Sequence, residues 1–258
     1  MERTNPPAFD IDSDVLRCLT FLDILQEANG GFVERETVPD PVLQSNFNYY
    51  CRILKYIKLG ELRVVINDAV YQESKHSKSL VEFMKKYAYF PDVNMHTYQE
   101  QAEAASRLAY AYCQPYEIDG EKRPAPMKFV YIADIKKRVP TNDAYAMAYA
   151  TVGGRCFITA NGRDFIFNER TGEDKNYHEI SRGIMRINIE RGYYSEEESG
   201  RFLVPKPIHL TTFGAIIKDG TESLYVPEML ENLVPARDVI PETLDYDEED
   251  TLPGTIST

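Results

Sequence analysis

The sequence predicts an α/β layered fold with a mostly parallel sheet, and two observations predict it. Short apolar runs with strand character (residues 8–12, AFDID; 62–66, LRVVI; 155–159, RCFIT) alternate with longer segments of helical periodicity. These runs also lead into polar residues able to cap a following helix, as at Ser13-Asp14 and Asn67-Asp68.

The elements follow in order. Residues 8–12 put Phe9 and Ile11 on one face of a strand, after a loose leader over residues 1–7. Ser13-Asp14 is expected to cap a helix carrying Val15, Leu16, Leu19, Leu22 and Leu25, which Asn29-Gly30-Gly31 ends. A second helix is expected over residues 41–59, with Phe47, Tyr50, Ile53, Leu54 and Ile57 on one side and Gly60 closing it. The strand at 62–66 leads into a helix carrying Glu73 that continues into the Lys-rich stretch 75–86. Residues 93–98 read as a short extended piece, and 99–112 as an Ala- and Glu-rich helix. Three prolines and a run of charges make 114–126 an inserted loop, and the whole insertion reaches about residue 139. Within it, 129–132 fits a strand or a helix start.

Residues 141–165 (TNDAYAMAYATVGGRCFITANGRDF) are the most informative stretch. Asp143 opens a small-residue helix, Gly153-Gly154 stops it, residues 155–159 form a strand, and Asp164 follows in a polar turn. Beyond it, 169–177 reads as polar loop, 179–192 as helix, 201–217 as an edge strand and 226–234 as a last short helix. The domain is expected to span 8–217, with an appendage over 218–236. Residues 237–258 hold seven acidic residues and one basic one, and read as a disordered acidic tail.

Net charge is −12, half of it in that tail, which argues against a protein that coats nucleic acid with a broad basic surface. A carboxylate metal site in a nuclease stays compatible with it. The four cysteines are widely spaced, with no CxxC, and are expected to be reduced. No signal-like or long apolar run is visible, so a soluble cytoplasmic protein without membrane contact is expected.

In a parallel sheet the carboxyl ends of the strands share one edge, which also receives the N-termini of the following helices. Asp12, Glu73, Asp143 and Asp164 all follow a strand or open a helix, and so are expected to converge there. Each has a plainer role available: capping-box partner for Asp12, N-cap for Asp143, turn acid for Asp164, solvated helix face for Glu73. Several carboxylates at one point suit Mg²⁺ or Mn²⁺, which prefer hard oxygen ligands. Asp10 is unusual inside a buried parallel strand, and either Asp10 or Asp12 fits the strand-end acid. Lys75, Lys78, Lys85 and Lys86 are a solvated face or a flank that contacts phosphate, Lys75 and Lys78 being nearest the acids. The four histidines show no metal spacing.

The four acidic motifs resemble those of the PIN-domain family of metal-dependent ribonucleases. The matching segments are Asp12-Ser13-Asp14-Val15-Leu16, Val70-Tyr71-Gln72-Glu73, Asn142-Asp143-Ala144-Tyr145-Ala146-Met147-Ala148 and Thr159-Ala160-Asn161-Gly162-Arg163-Asp164-Phe165. The resemblance covers roughly residues 8–165. It implies a three-layer sandwich with a C-terminal extension, and an Mg²⁺- or Mn²⁺-dependent endoribonuclease whose substrate is RNA. It favours Asp12 over Asp10. Asp12, Glu73, Asp143 and Asp164 carry over as catalytic, metal-holding acids, with Ser13 and Asn161 as polar support. The chain is about twice as long as a compact PIN domain, so its additions are candidates for a surface that binds a protein partner, an inhibitor or a second copy. Two rivals stand beside this reading. One is a PIN-like binding or scaffold protein without catalysis. The other is a metal phosphohydrolase acting on a small phosphate ester, disfavoured by the lack of a Gly-rich phosphate loop.

Overall fold

The computed structural model describes residues 6–91, 95–166, 174–199, 204, 206–219, 233–244 and 246. Strand β1 (Ala8–Ile11) runs into helix α1 (Ser13–Ala28). The cap of α1 is Asp12 rather than Ser13-Asp14, its carboxylate accepting the Val15 N–H. A 3₁₀ turn at Arg35–Thr37 precedes α2 (Pro41–Ser45) and α3 (Phe47–Lys58). These replace the single expected helix, because Asn46 leaves helical geometry (φ −109°) and turns its side-chain amide back to the Val42 carbonyl. Strand β2 (Arg63–Val65) leads to α4 (Asp68–Ser74), capped by Asn67. A second helix, α5 (Lys78–Tyr87), starts afresh at its own cap, Ser77, so Glu73 shares no helix with Lys78, Lys85 and Lys86, while Lys75 caps the end of α4.

Strand β3 (Ala88–Pro91) had no counterpart in the sequence reading. Of the extended piece expected over 93–98, residues 93 and 94 lie outside the described residues, and the rest already belongs to α6 (Met95–Tyr112). The expected loop at 114–126 is a hairpin, β4 (Tyr116–Ile118) and β5 (Glu121–Arg123). Its turn is Asp119-Gly120, both at positive φ (53° and 83°), the two-residue geometry that Asp-Gly favours. A second hairpin follows, β6 (Phe129–Ile132) and β7 (Lys137–Pro140), then α7 (Asn142–Val152) and β8 (Cys156–Thr159). The polar turn at Asp164 is one helical turn, α8 (Gly162–Phe165). Next come α9 (Tyr177–Glu190) and α10 (Glu196–Ser199).

Of the edge strand expected over 201–217, residues 201–203 and 205 lie outside the described residues, Ile208–His209 form strand β9, and the apolar run after it is helix α11 (Leu210–Ile216). Its Leu210 and Phe213, with Ile217 just past its end, are buried at helical spacing, a pattern the strand reading overlooked. Most of the helix expected over 226–234 lies outside the described residues, while Leu233–Pro235 form strand β10. The tail boundary expected at 237 falls inside ordered structure. Helix α12 (Ala236–Val239) continues into buried Ile240, and Leu244 and Tyr246 pack on the core. Residues 1–5 of the leader, 169–173 of the polar loop, and 245 and 247–258 of the tail lie outside the described residues.

The sheet order is β10-β3-β2-β1-β8-β9, parallel throughout except β10, which runs antiparallel to β3. Helices α1, α3, α5, α11 and α12 form one packed group, and α4, α6, α7 and α9 another. The arrangement is α/β and compatible with three layers. From β1 the chain goes to β2 on one side, and it later returns to β8 on the other. Strand order therefore reverses between β1 and β8, and in open parallel sheets the crevice at such a switch point is where ligands bind.

Buried charge ties this centre together. All of β1 is buried, including Asp10, which is fully inaccessible. The Arg155 Nε pairs with one oxygen of Asp10, and the Asn67 amide donates to the other at 2.9 Å. Arg155 is itself 3% exposed, and its guanidinium occupies the space where a Cβ on Gly153 would stand. Both Asp10 oxygens are thus engaged in structural contacts, with Arg155 and Asn67. Among the described residues no helix is long and apolar enough to cross a membrane.

Breaking this pair from one side strands a buried charge. Arg155→Met should cost about 3–5 kcal/mol in urea unfolding, and Asp10→Leu/Arg155→Met together clearly less than the single change. A single-variant loss below about 1 kcal/mol, the level of an exposed pair, would show that the contact is marginal.

Candidate functional site at the strand switch point

The crevice outside β1 and β8 is built by local rules. Strand β1 ends at Ile11, and the Asp12 N–H still pairs with the Ile158 carbonyl at 3.0 Å. Asp12 therefore stands at the sheet edge, 5% exposed. One carboxylate oxygen accepts the Val15 N–H at 2.7 Å. The other accepts the Thr159 hydroxyl and the Ala160 N–H. Three of its roughly four lone-pair positions are thus engaged. Burial pushes its pKa up to about 7 against these hydrogen bonds, and the nearby Asp14 charge adds to the rise.

Asp143 has the opposite situation. Thr141 caps α7, accepting the Ala144 N–H, so the Asp143 carboxylate in the first turn is not spent on capping. It is half-buried, and burial raises its pKa to about 6. Repulsion from Asp164, Glu73 and Asp14, in that order, adds to the shift, and Lys128 opposes it. Three further acids therefore act on this one carboxylate.

Asp164 sits on α8. Asn161 caps that turn, its carbonyl accepting the Asp164 N–H while its amide donates to the Asp164 carboxylate at 2.8 Å. Lys128 Nζ lies 3.6 Å from the other carboxylate oxygen, and Lys175 Nζ donates to the Asp164 and Pro126 carbonyls. Glu73 is exposed on α4, which packs against α7. Ser13 is half-buried in the first turn of α1. Lys75 Nζ donates to Gln72 and Lys78 pairs with Glu82 at 3.9 Å, so both lysines of the expected phosphate flank are engaged locally at the surface.

The fold thus brings Asp143, Asp164 and Glu73 into one electrostatic group, with Asp12 on the adjoining strand end. Asp14, taken from sequence only as a helix cap, adds its charge to the fields at both Asp12 and Asp143. Its position, one residue beyond Ser13 in the first turn, was the available signal. Lys128 and Lys175 were also missed; both lie in segments read as insertion and loop. An open cleft of about 440 Å³ adjoins the acids, lined by Asp14, Arg17, Cys18, Phe21, Asp40, Val42, Leu43, Ala160 and Asn161.

Among the described residues, no three metal-ligating side chains stand close enough to hold an ion as placed. The donor chemistry nevertheless fits a hard divalent cation, with carboxylate oxygens whose mutual repulsion a cation relieves. Glu73 and Asp14 are exposed, so their side chains can turn inward without disturbing the core.

The raised pKa values carry a sign. An unfolded aspartate titrates near 3.9, so between about pH 4 and 7 the folded chain holds protons that the unfolded chain has released, and stability falls as pH rises through that window. Thermal unfolding without added metal should give a lower midpoint at pH 8 than at pH 5. Asp143→Asn should flatten the part of the decline between about pH 4 and 6. Mn²⁺ should raise the midpoint markedly at pH 8 and little at pH 5, where Asp12 and Asp143 are protonated. An equal Mn²⁺ effect at both values would remove Asp143 from the cation site.

No protein-family model matches the chain, and neither a curated protein nor a solved structure matches it.

Proposed function

We propose that this chain is a PIN-like, Mg²⁺- or Mn²⁺-dependent endoribonuclease that hydrolyses RNA phosphodiester bonds at the switch-point crevice. One observation carries the reading: an uncapped, half-buried Asp143 in the combined field of Asp164, Glu73 and Asp14, at the carboxyl edge of a parallel sheet. The acid spacing that resembles the PIN-domain family supports it.

Asp143, Asp164 and Glu73 are the residues that would hold the metal. Bound there, it supplies activation of a water and neutralisation of charge developing on the phosphoryl group. The chain's own groups do the rest. Asn161 fixes the Asp164 carboxylate by its amide, and Asp12 holds β1, β8 and the start of α1 in register. Lys128 offers a cation at the mouth of the site for a phosphate oxygen. On this reading the substrate is drawn from a cytoplasmic RNA pool.

A second reading has its own support. The largely engaged Asp12 carboxylate and the separation of the acids among the described residues suit a PIN-like binding protein that has lost catalysis.

Incubation of a mixed RNA pool with Mn²⁺ separates the two. Cleavage is expected with Mn²⁺, lost in EDTA, and reduced at least ~100-fold in Asp143→Asn, as for loss of a group acting on transition-state charge. Cleavage that persists in EDTA or in Asp143→Asn would reject the metal mechanism, and no cleavage by the wild type would favour the binding protein.

A further inference from the structure

The β6–β7 hairpin leads straight into the cap of α7 and is exposed from Val130 to Arg138 on both of its faces. Among the described residues it is a two-stranded ribbon paired with no other strand. Residues 128–138 (KFVYIADIKKR) hold four basic residues and one acidic one in a chain of net charge −12. Strand pairing sets which residues share a face. Val130 opposes Val139 and Ile132 opposes Lys137, while Tyr131 opposes Arg138 on the other side. The Thr141 N–H donates to the Lys128 carbonyl, so the ladder extends one residue toward the core. By alternation Lys128 then belongs to the face of Val130, Ile132 and Lys137.

Lys128 is also the residue that reaches Asp164. One ribbon face therefore begins at the acidic site and runs outward for about 13 Å at the rise of a strand, an aliphatic strip with a lysine at each end. An acidic chain repels RNA at long range, and a local cationic track leading to the site is what an anionic strand requires. The aliphatic strip offers apolar contact to the faces of unpaired bases, which a duplex would keep stacked inside.

We infer that this face is a docking track for single-stranded RNA, with backbone phosphates near Lys128 and Lys137 and bases against Val130 and Ile132. The substrate named here rests on the ribonuclease reading. The ribbon's role as a strand-binding element is tested apart from it.

The test uses the full chain carrying Asp143→Asn, so that the probe stays intact, and fluorescence anisotropy with a labelled oligouridine. Lys137→Glu should weaken binding severalfold and lower the salt slope by about 0.7, the value for one phosphate contact on a single strand. Arg138→Glu makes the same charge change on the opposite face and should weaken binding much less. Unchanged melting temperatures would confirm that both variants fold. Equal losses in the two variants, or none in either, would overturn the assignment, as would loss of a homodimer in Lys137→Glu, which would make a second copy the occupant. Selective loss in Lys137→Glu with no metal-dependent cleavage by the wild type would keep the track and reject the nuclease. Intact cleavage with unchanged KM in Lys137→Glu would do the reverse.

Discussion

The buried Asp10–Arg155 pair is the contact on which the rest of the architecture depends. A parallel strand covered on both faces should be apolar, and β1 is, except at Asp10. That carboxylate demands partners, and each partner fixes another element. Arg155 fixes the entry of β8. Asn67, which donates to Asp10, also caps α4 and lies 3.4 Å from the Ala146 carbonyl of α7. Gly153 leaves the space that the guanidinium fills, and Gly154 at φ 63° makes the turn between α7 and β8. One ion pair thus sets the relative positions of β1, β8, α4 and α7, the four elements that frame the crevice.

The same alternation explains the division between two neighbouring acids. Asp10 and Asp12 are two residues apart and so leave the strand on the same side. Asp10, one step inside the edge, meets only protein and is consumed in holding the sheet. Asp12 stands where pairing ends and helix begins, close to the crevice. It too carries structural work, since its oxygens bind both the start of α1 and the end of β8. The strand-end acid is therefore part scaffold, and the acid least occupied by scaffold duty is Asp143.

Much of this was legible in the sequence wherever local chemistry decides. The runs AFDI, RVV and CFIT, the Asn67 cap and the Gly60 stop all operate within a few residues, and the structure has them where the pattern puts them. Elements were missed where tertiary contacts decide. Strand β3, AYFP, directly follows a helix without a polar break, and only pairing with β2 and β10 makes it a strand. The helix expected over 41–59 divides at Asn46 through a side-chain bond that competes with the backbone. The Asp119-Gly120 turn was local and readable, but surrounding prolines and charges masked it. For the site, the grouping of Asp143, Asp164 and Glu73 around one field followed from strand order. Asp14 and Lys128 did not, because their relevance comes from packing between segments far apart in the chain.

The electrostatics of the crevice favour exchange over permanence. Asp164 shares Lys128 at 3.6 Å with both side chains partly in water, and Asp14 pairs with Arg17 at 3.1 Å at the surface. Such exposed pairs contribute little to stability, so each cation can leave its carboxylate at small cost. The buried groups differ: Asp10 and Arg155 have no water to turn to and hold each other. Rigid pairing thus lies beneath the crevice and replaceable pairing at its mouth. A divalent cation arriving at Asp164 and Asp143 would compete with Lys128 for the same oxygens. The displaced ammonium would then be available to a phosphate, so that occupation of the acids and attraction of an anionic strand reinforce each other.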